Sequence, residues 1–182
     1  MDDLAAYLLD IIQNSITAQS NLILLTIEER ENLSIIIEDD GVGMSEKVLS
    51  QVTSPFYTTR TTRKVGLGLP LVKMLCEQTD GQFHLSSTEG LGTTLKLILN
   101  HRHIDMPPFG NLGEMIYTVS IHQDVSEFLF SFSSMHGKFN YRLSEVRSMF
   151  QETLATYDVM QGIMSWINNE INTIRGITNE IT

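Results

Sequence analysis

Two pairs of short apolar runs constrain this chain more than any other feature. Residues 21–29 (Asn-Leu-Ile-Leu-Leu-Thr-Ile-Glu-Glu) and 33–38 (Leu-Ser-Ile-Ile-Ile-Glu) are rich in branched side chains and joined by the polar link Arg30-Glu31-Asn32. They read as a hairpin, because branched side chains suit a pleated, half-buried surface and a short polar link suits a turn. A second pair, 82–88 and 93–99, is joined by Glu89-Gly90-Leu91-Gly92. Helical spacing frames both pairs. Leu4, Leu8, Ile11 and Ile12 share one face of a helix expected over 3–19, and Asp10 and Asn14, four apart, share another. Ser45 ahead of Glu46 starts a short helix to about residue 51, and a stronger one is expected over 69–78, with Pro70 tolerated in its first turn. The order predicts an α+β fold, helices layered on a mixed sheet.

Residues 101–113, with Pro107-Pro108, Gly110 and Gly113, read as a linker between a domain over 1–100 and a C-terminal extension over 114–182. In the extension, 114–121 and 126–133 alternate well enough to predict a β-hairpin, followed by helices over about 141–155 and 158–180. On the last helix Met160, Met164, Ile167, Ile171, Ile174 and Ile181 follow 4-3 spacing. That stripe suits packing within the molecule. A homodimer seam over 158–181 is the alternative, although roughly three heptads is the low end for a coiled coil.

Charge narrows the partners. Lys and Arg total 12 against 22 Asp and Glu, a formal net charge of −10. Such a surface repels polyanions, which argues against nucleic acid and anionic membrane. No apolar run reaches the ~18 residues of a membrane span, and the acidic start Met1-Asp2-Asp3 lacks the basic segment of a signal peptide. The single cysteine, Cys76, excludes an intramolecular disulfide framework and fits a reducing compartment, so the expected location is cytoplasmic. Cys76 sits in an apolar helical pattern and reads as a core residue. His101 and His103 read as solvated loop histidines, since no third metal ligand has a readable spacing.

The cations are unevenly placed. Arg60, Arg63, Lys64 and Lys73 are four of the 12, within 14 positions, with Gly66 and Gly68 among them immediately ahead of a helix. Glycines allow close backbone approach, and successive N–H groups at a helix start form an anion-binding concavity suited to a phosphate chain. Around this segment five motifs follow in order: Asp10-Ile-Ile-Gln-Asn14-Ser15-Ile16-Thr17-Ala18, Asp39-Asp40-Gly41-Val42-Gly43-Met44, Pro55-Phe56-Tyr57-Thr58-Thr59-Arg60, Gly66-Leu67-Gly68-Leu69, and Gly90-Leu91-Gly92-Thr93-Thr94. Together they resemble the N box, G1 box, F box, G2 box and closing glycine-threonine motif of the GHKL ATP-binding superfamily. Its members include the DNA gyrase B subunit, the 90-kDa heat-shock chaperones, sensor histidine kinases and MutL-type repair ATPases.

The resemblance implies a Bergerat-type two-layer α/β sandwich with ATP and Mg²⁺ as cofactors. It implies that Asn14 ligates Mg²⁺, since a carboxamide oxygen suits a hard cation already sharing its charge with phosphates. Asp39 is implied as the adenine reader, its carboxylate accepting from the exocyclic amine, with Gly41 and Gly43 permitting close packing beside Met44. Phe56 is implied to pack under a lid over 52–66. Gly66 and Gly68, with Leu67 and Leu69 beside them, offer N–H groups to phosphates, Arg60 and Lys64 supply positive charge, and Thr93 or Thr94 lends a hydroxyl on the adenine side. Asp10 is the candidate general base. It stands where hydrolytic members usually carry Glu and many histidine kinases Asn, and its side chain is one methylene shorter than Glu. Lys64 replaces an extra glycine of many histidine kinases, which suggests that it reaches the γ-phosphate.

A narrower resemblance rests on Phe56-Tyr-Thr-Thr-Arg-Thr-Thr-Arg-Lys-Val-Gly-Leu-Gly-Leu-Pro70 and His103-Ile-Asp-Met-Pro-Pro-Phe-Gly110. These segments look like small stand-alone bacterial ATP-binding proteins, histidine-kinase-like and encoded near iron hydrogenase or NADH-oxidoreductase components. That resemblance implies a regulatory or accessory protein with a redox or signalling partner. Because the sequence begins nine residues before Asp10, no phospho-accepting histidine domain of its own is expected. Three outcomes for the γ-phosphate stay open: transfer to water in a slow ATPase, transfer to a partner by a serine- or histidine-type protein kinase, or retention in a nucleotide-sensing module.

Overall fold

The computed structural model describes residues 3–53 and 68–177. Helix α1 (Leu4–Thr17) starts at Asp3, whose carboxylate accepts from the Ala6 N–H at 2.8 Å, and buries Leu4, Leu8, Ile11 and Ile12. Strands β1 (Leu22–Glu29) and β2 (Leu33–Asp39) form the expected hairpin, and short α2 (Glu46–Leu49) and α3 (Gly68–Gln78) follow. Strands β3 (Gln82–Thr88) and β4 (Gly92–Leu99) form the second hairpin. Next come α4 (Leu112–Ser120), β5 (Glu127–Ser134), β6 (Gly137–Arg142), α5 (Leu143–Phe150) with a 3₁₀ turn at Gln151–Thr153, and α6 (Tyr157–Ile174).

The six strands make one sheet in the order β3-β4-β2-β1-β5-β6. Neighbours are antiparallel except β1 and β5, which run parallel with Leu25 opposite Phe130, so the sheet is mixed. Strict alternation divides its faces. Ile23, Leu25 and Ile27 of β1, Leu33, Ile35 and Ile37 of β2, and Phe128, Phe130 and Phe132 of β5 are all buried toward the helices. Their intervening neighbours point the other way, as period-two side chains must. Burying each phenylalanine contributes about 1.5–3 kcal/mol, so β5 anchors its end of the sheet.

Two expectations for the C-terminal part are corrected. Residues 114–121, expected as a strand, form helix α4 through Ser120 and its C-cap Ile121: Asn111 accepts from the Glu114 N–H at 3.0 Å, and Leu112, Met115, Ile116 and Val119 are buried at helical spacing. The C-terminal hairpin is instead β5–β6, so residues 141–142, expected in a helix, end a strand in which Tyr141 pairs with Phe130. The sheet also runs without a break across the boundary expected at 101–113, and that segment is itself docked. The Leu4 and Ala5 N–H groups at the start of α1 donate to the Pro108 and Phe109 carbonyls at 2.9 and 3.0 Å. On α6, Ile163, Ile167, Ile171 and Ile174 are buried and Met160 and Met164 pack against the same core, while Ile181 lies outside the described residues.

His101 is not a solvated loop histidine. Its side chain is 16% exposed and its Nδ1 lies 3.4 Å from Glu29 Oε1. His103 is partly covered, 3.8 Å from Asp80 and 3.6 Å from Asp105. Among the described residues no helix is long and apolar enough to cross a membrane.

Candidate functional site

A cavity of about 480 Å³ opens between α1, the helix-facing side of the sheet and the turn after β2. Its walls are mainly apolar: Ile11 of α1, Ile37, Leu85 and Leu95 of the sheet, Val48 of α2 and Leu69 of α3. Polar groups converge at one end. Asn14 and Ser15 come from α1, Asp39 from the end of β2, and Thr93 from the start of β4. Helix spacing and strand alternation explain the convergence. Ser15 lies four residues beyond Ile11 on the buried face, and Asp39 and Thr93 continue the inward rows Ile35-Ile37 and Leu97-Leu95.

Asp39 is held from two sides. The Ser15 hydroxyl donates to Oδ2 at 2.7 Å and the Gly41 N–H to Oδ1 at 3.0 Å. Both donors are neutral, so the carboxylate is fixed without an ion pair among the described residues. Its neighbour Asp40 is turned to the backbone instead. The Asp40 Oδ1 accepts from the Asn21 and Leu22 N–H groups at 2.7 and 2.8 Å, closing the start of β1. Two glycines make the turn possible. Gly43 has φ +64° and a Cβ there would overlap the Thr88 carbonyl, while a Cβ on Gly41 would lie 2.6 Å from Ser20 Oγ.

A second knot lies behind Thr93. The Ser87 hydroxyl donates to the Gly92 carbonyl at 2.8 Å, accepts from the Met44 N–H at 2.9 Å, and lies 2.9 Å from Thr93 Oγ1. It links β3, β4 and the turn after β2 at the edge of the cavity.

Of the residues expected from sequence, Asn14, Asp39, Gly43, Met44, Leu69 and Thr93 line this cavity. Asp10 stands beside it: its carboxylate lies against the Cα of Gly68 at the start of α3, where a Cβ would overlap Oδ2. Gly41 supports Asp39 from outside the wall. Thr94 is corrected: it pairs across from Glu38 and Ser86 and, one residue out of phase with Thr93 and Leu95, faces the other side of the sheet. Phe56, Arg60, Lys64, Gly66 and Leu67 lie outside the described residues, as does most of the expected 52–66 lid, although Val52 lines the cavity.

Ser15, Ser87 and Glu89 were not singled out by spacing. Ser15 carried a readable signal, a polar residue inside the apolar row Leu8-Ile11-Ile12-Ile16. Ser87 carried none, because its value lies in three partners distant in sequence. Cys76, behind the cavity on α3, is buried, and burial pushes its thiol up to about 12. It therefore holds no thiolate at neutral pH and acts as packing.

Nothing in this geometry resembles a dedicated metal cage: among the described residues no three His, Cys, Asp or Glu cluster to hold an ion. A wall with one carboxamide and few charges fits Mg²⁺, which keeps waters and ligand phosphates in its shell and takes few protein ligands. The apolar slot ending in a fixed carboxylate fits a flat heteroaromatic ring bearing an amine.

Known proteins share part of this sequence and its fold. A family model described as "Histidine kinase-, DNA gyrase B-, and HSP90-like ATPase" matches residues 2–103. Sporulation kinase C of Bacillus subtilis is 32% identical over 94 residues, 50% of this chain and 22% of the kinase. The Non-motile and phage-resistance protein of Caulobacter vibrioides is 31% identical over 110 residues, 54% of this chain and 13% of that protein. The chain thus spans less than a quarter of the length of these relatives. A crystal structure of the N-terminal domain of a DNA repair protein shares the fold, with a TM-score of 0.57 at 15% identity, covering 85% of this chain and 58% of that one. That coverage is more of the chain than residues 2–103 comprise, so the likeness in fold includes part of the C-terminal segment.

Proposed function

Because this chain belongs to the Histidine kinase-, DNA gyrase B-, and HSP90-like ATPase family, we propose that it is an ATP- and Mg²⁺-binding regulatory or accessory protein. One observation carries the reading: Asp39, fixed by the Ser15 hydroxyl and the Gly41 N–H, closes the polar end of an apolar cavity of about 480 Å³. In this reading Ile37, Leu85 and Leu95 flank the adenine ring and Asp39 accepts from its exocyclic amine. Thr93 adds a hydroxyl, and Asn14 holds Mg²⁺. The ion, when bound, neutralises triphosphate charge. Arg60, Lys64 and the N–H groups around Gly66 and Gly68 complete the anion site, since a helix N-terminus favours negative charge. Asp10 of α1, its carboxylate beside the start of α3, serves as general base: it takes a proton from water as that oxygen bonds to the γ-phosphorus and the bond to ADP breaks.

A second reading, a kinase acting on a partner protein, is favoured by the likeness to Sporulation kinase C. A nucleotide-sensing module without turnover is the third alternative, and a redox or signalling partner and a cytoplasmic bacterial setting complete the proposal. The sequence charge of −10 speaks against nucleic acid as that partner.

Calorimetric titration with Mg-ATP tests the site. Asp39→Asn is expected to weaken binding about a hundredfold or more, roughly 2.7 kcal/mol, because the carboxamide presents a donor where the amine needs an acceptor. Wild-type affinity in that variant would remove the assignment. Asp10→Asn should bind ATP normally and stop phosphate release if water is the acceptor. Label moving from γ-labelled ATP to another protein would instead support the kinase reading.

A further inference from the structure

The hydroxyl of Ser87 has one proton and two lone pairs, and its three neighbours fix where each goes. The Gly92 carbonyl, 2.8 Å away, can only accept, so it receives the Ser87 proton. The Met44 N–H, at 2.9 Å, can only donate, so it takes one lone pair. What remains toward Thr93 Oγ1, at 2.9 Å, is the second lone pair, and Thr93 must therefore be the donor of that bond. With its proton turned to Ser87, Thr93 offers the cavity lone pairs alone. Asp39, whose two oxygens accept from Ser15 and Gly41, also offers lone pairs alone.

We propose that Ser87 is a positioning residue that sets the polarity of the site. By holding the Thr93 proton it makes the polar end of the cavity a pair of acceptors, selecting nucleobases whose edge donates through an exocyclic amine and rejecting those that only accept. The proposal rests on the reading of this cavity as an ATP site and adds to it a specificity device outside the cavity wall. Where a bound base displaces water, an acceptor facing another acceptor leaves both unsatisfied, and that mismatch disfavours the wrong base.

Titrations with ATP and with purine riboside 5′-triphosphate, which keeps the ring nitrogens but lacks the amine, read the device as a ratio of two dissociation constants. Wild-type protein should favour ATP. In Ser87→Ala the Thr93 hydroxyl is free to turn its proton into the cavity and is no longer a fixed acceptor for the amine that only ATP carries, so the preference should narrow by about tenfold, and Ser87→Thr should restore it. A purely structural role would weaken both nucleotides alike and leave the ratio unchanged; that outcome overturns the proposal. Thr93→Val deletes the same acceptor and should narrow the ratio independently of how Ser87→Ala folds, so an unchanged ratio there also counts against it. Wild-type protein that binds neither nucleotide overturns the adenine reading itself, a result distinct from an unaltered preference.

Discussion

Asp39 and Glu29 occupy opposite ends of the same hairpin and are treated in opposite ways. Asp39 is held by a hydroxyl and a backbone N–H, both neutral. Glu29 is held by a cation: Arg175 reaches its two oxygens at 2.8 and 3.2 Å, while His101 Nδ1 lies 3.4 Å away. Arg175 also stacks on the Phe109 ring at 3.7 Å. Neutral donors fix a carboxylate while leaving its charge for a ligand, whereas a guanidinium cancels it. One end of the hairpin is thus kept available. The other ties the end of α6 and the segment after β4 to the sheet.

The largest expected effect comes where both functions share backbone. Gly92 has φ +104°, and a Cβ there would overlap the Asp39 carbonyl oxygen. Gly92→Ala should cost about 3 kcal/mol or more in chemical denaturation and weaken ATP binding as well. Unchanged stability would show that the Asp39 end is looser than its contacts imply. Next, Glu29→Gln leaves Arg175 beside a neutral amide in a partly buried position. A loss of about 1–3 kcal/mol is expected, with ATP affinity unaltered. If ATP affinity falls with it, the two ends are coupled and the division of labour is wrong.

Ser15→Ala removes one of the two groups steadying Asp39, so ATP affinity should fall about tenfold, roughly 1.4 kcal/mol, with little change in the denaturation midpoint. A destabilised variant of normal affinity would move Ser15 to the structural side. The smallest effect, nil at neutral pH, belongs to Cys76. Above pH 9.0 the unfolded thiol ionises while the buried one stays protonated until about 12. Stability present below that window should therefore fall with rising pH, by at most about 1.4 kcal/mol per unit. Cys76→Ala should flatten that part of the slope. Tyr141, also raised by burial, adds its own decline at higher pH.

Local pattern was a sound guide wherever local forces decide. The runs that became β1, β2 and β4 are rich in branched side chains, all four strands are bounded by polar or glycine links, and α1 and α3 have apolar spacing that matches their buried faces. The same pattern misled at 114–121. Glu-Met-Ile-Tyr-Thr-Val-Ser-Ile has the composition of a strand, yet Asn111 caps it as a helix and α6 packs against it, with the Gly113 N–H donating to Asn168 at 2.9 Å. Tertiary packing overrode propensity there, as propensity differences of a few tenths of a kcal/mol per residue allow.

The strands β1 to β4 and the α1 face that carries Asp10 and Asn14 were legible in the sequence, because helix and strand periods place side chains without knowledge of the rest of the chain. Long-range contacts were needed to lay β5 parallel to β1 in one sheet, to turn Thr93 rather than Thr94 toward the cavity, and to bring Ser15 and Ser87 to its polar end. Each of these depends on contacts between residues far apart in sequence, where register and packing, not period, choose the partner.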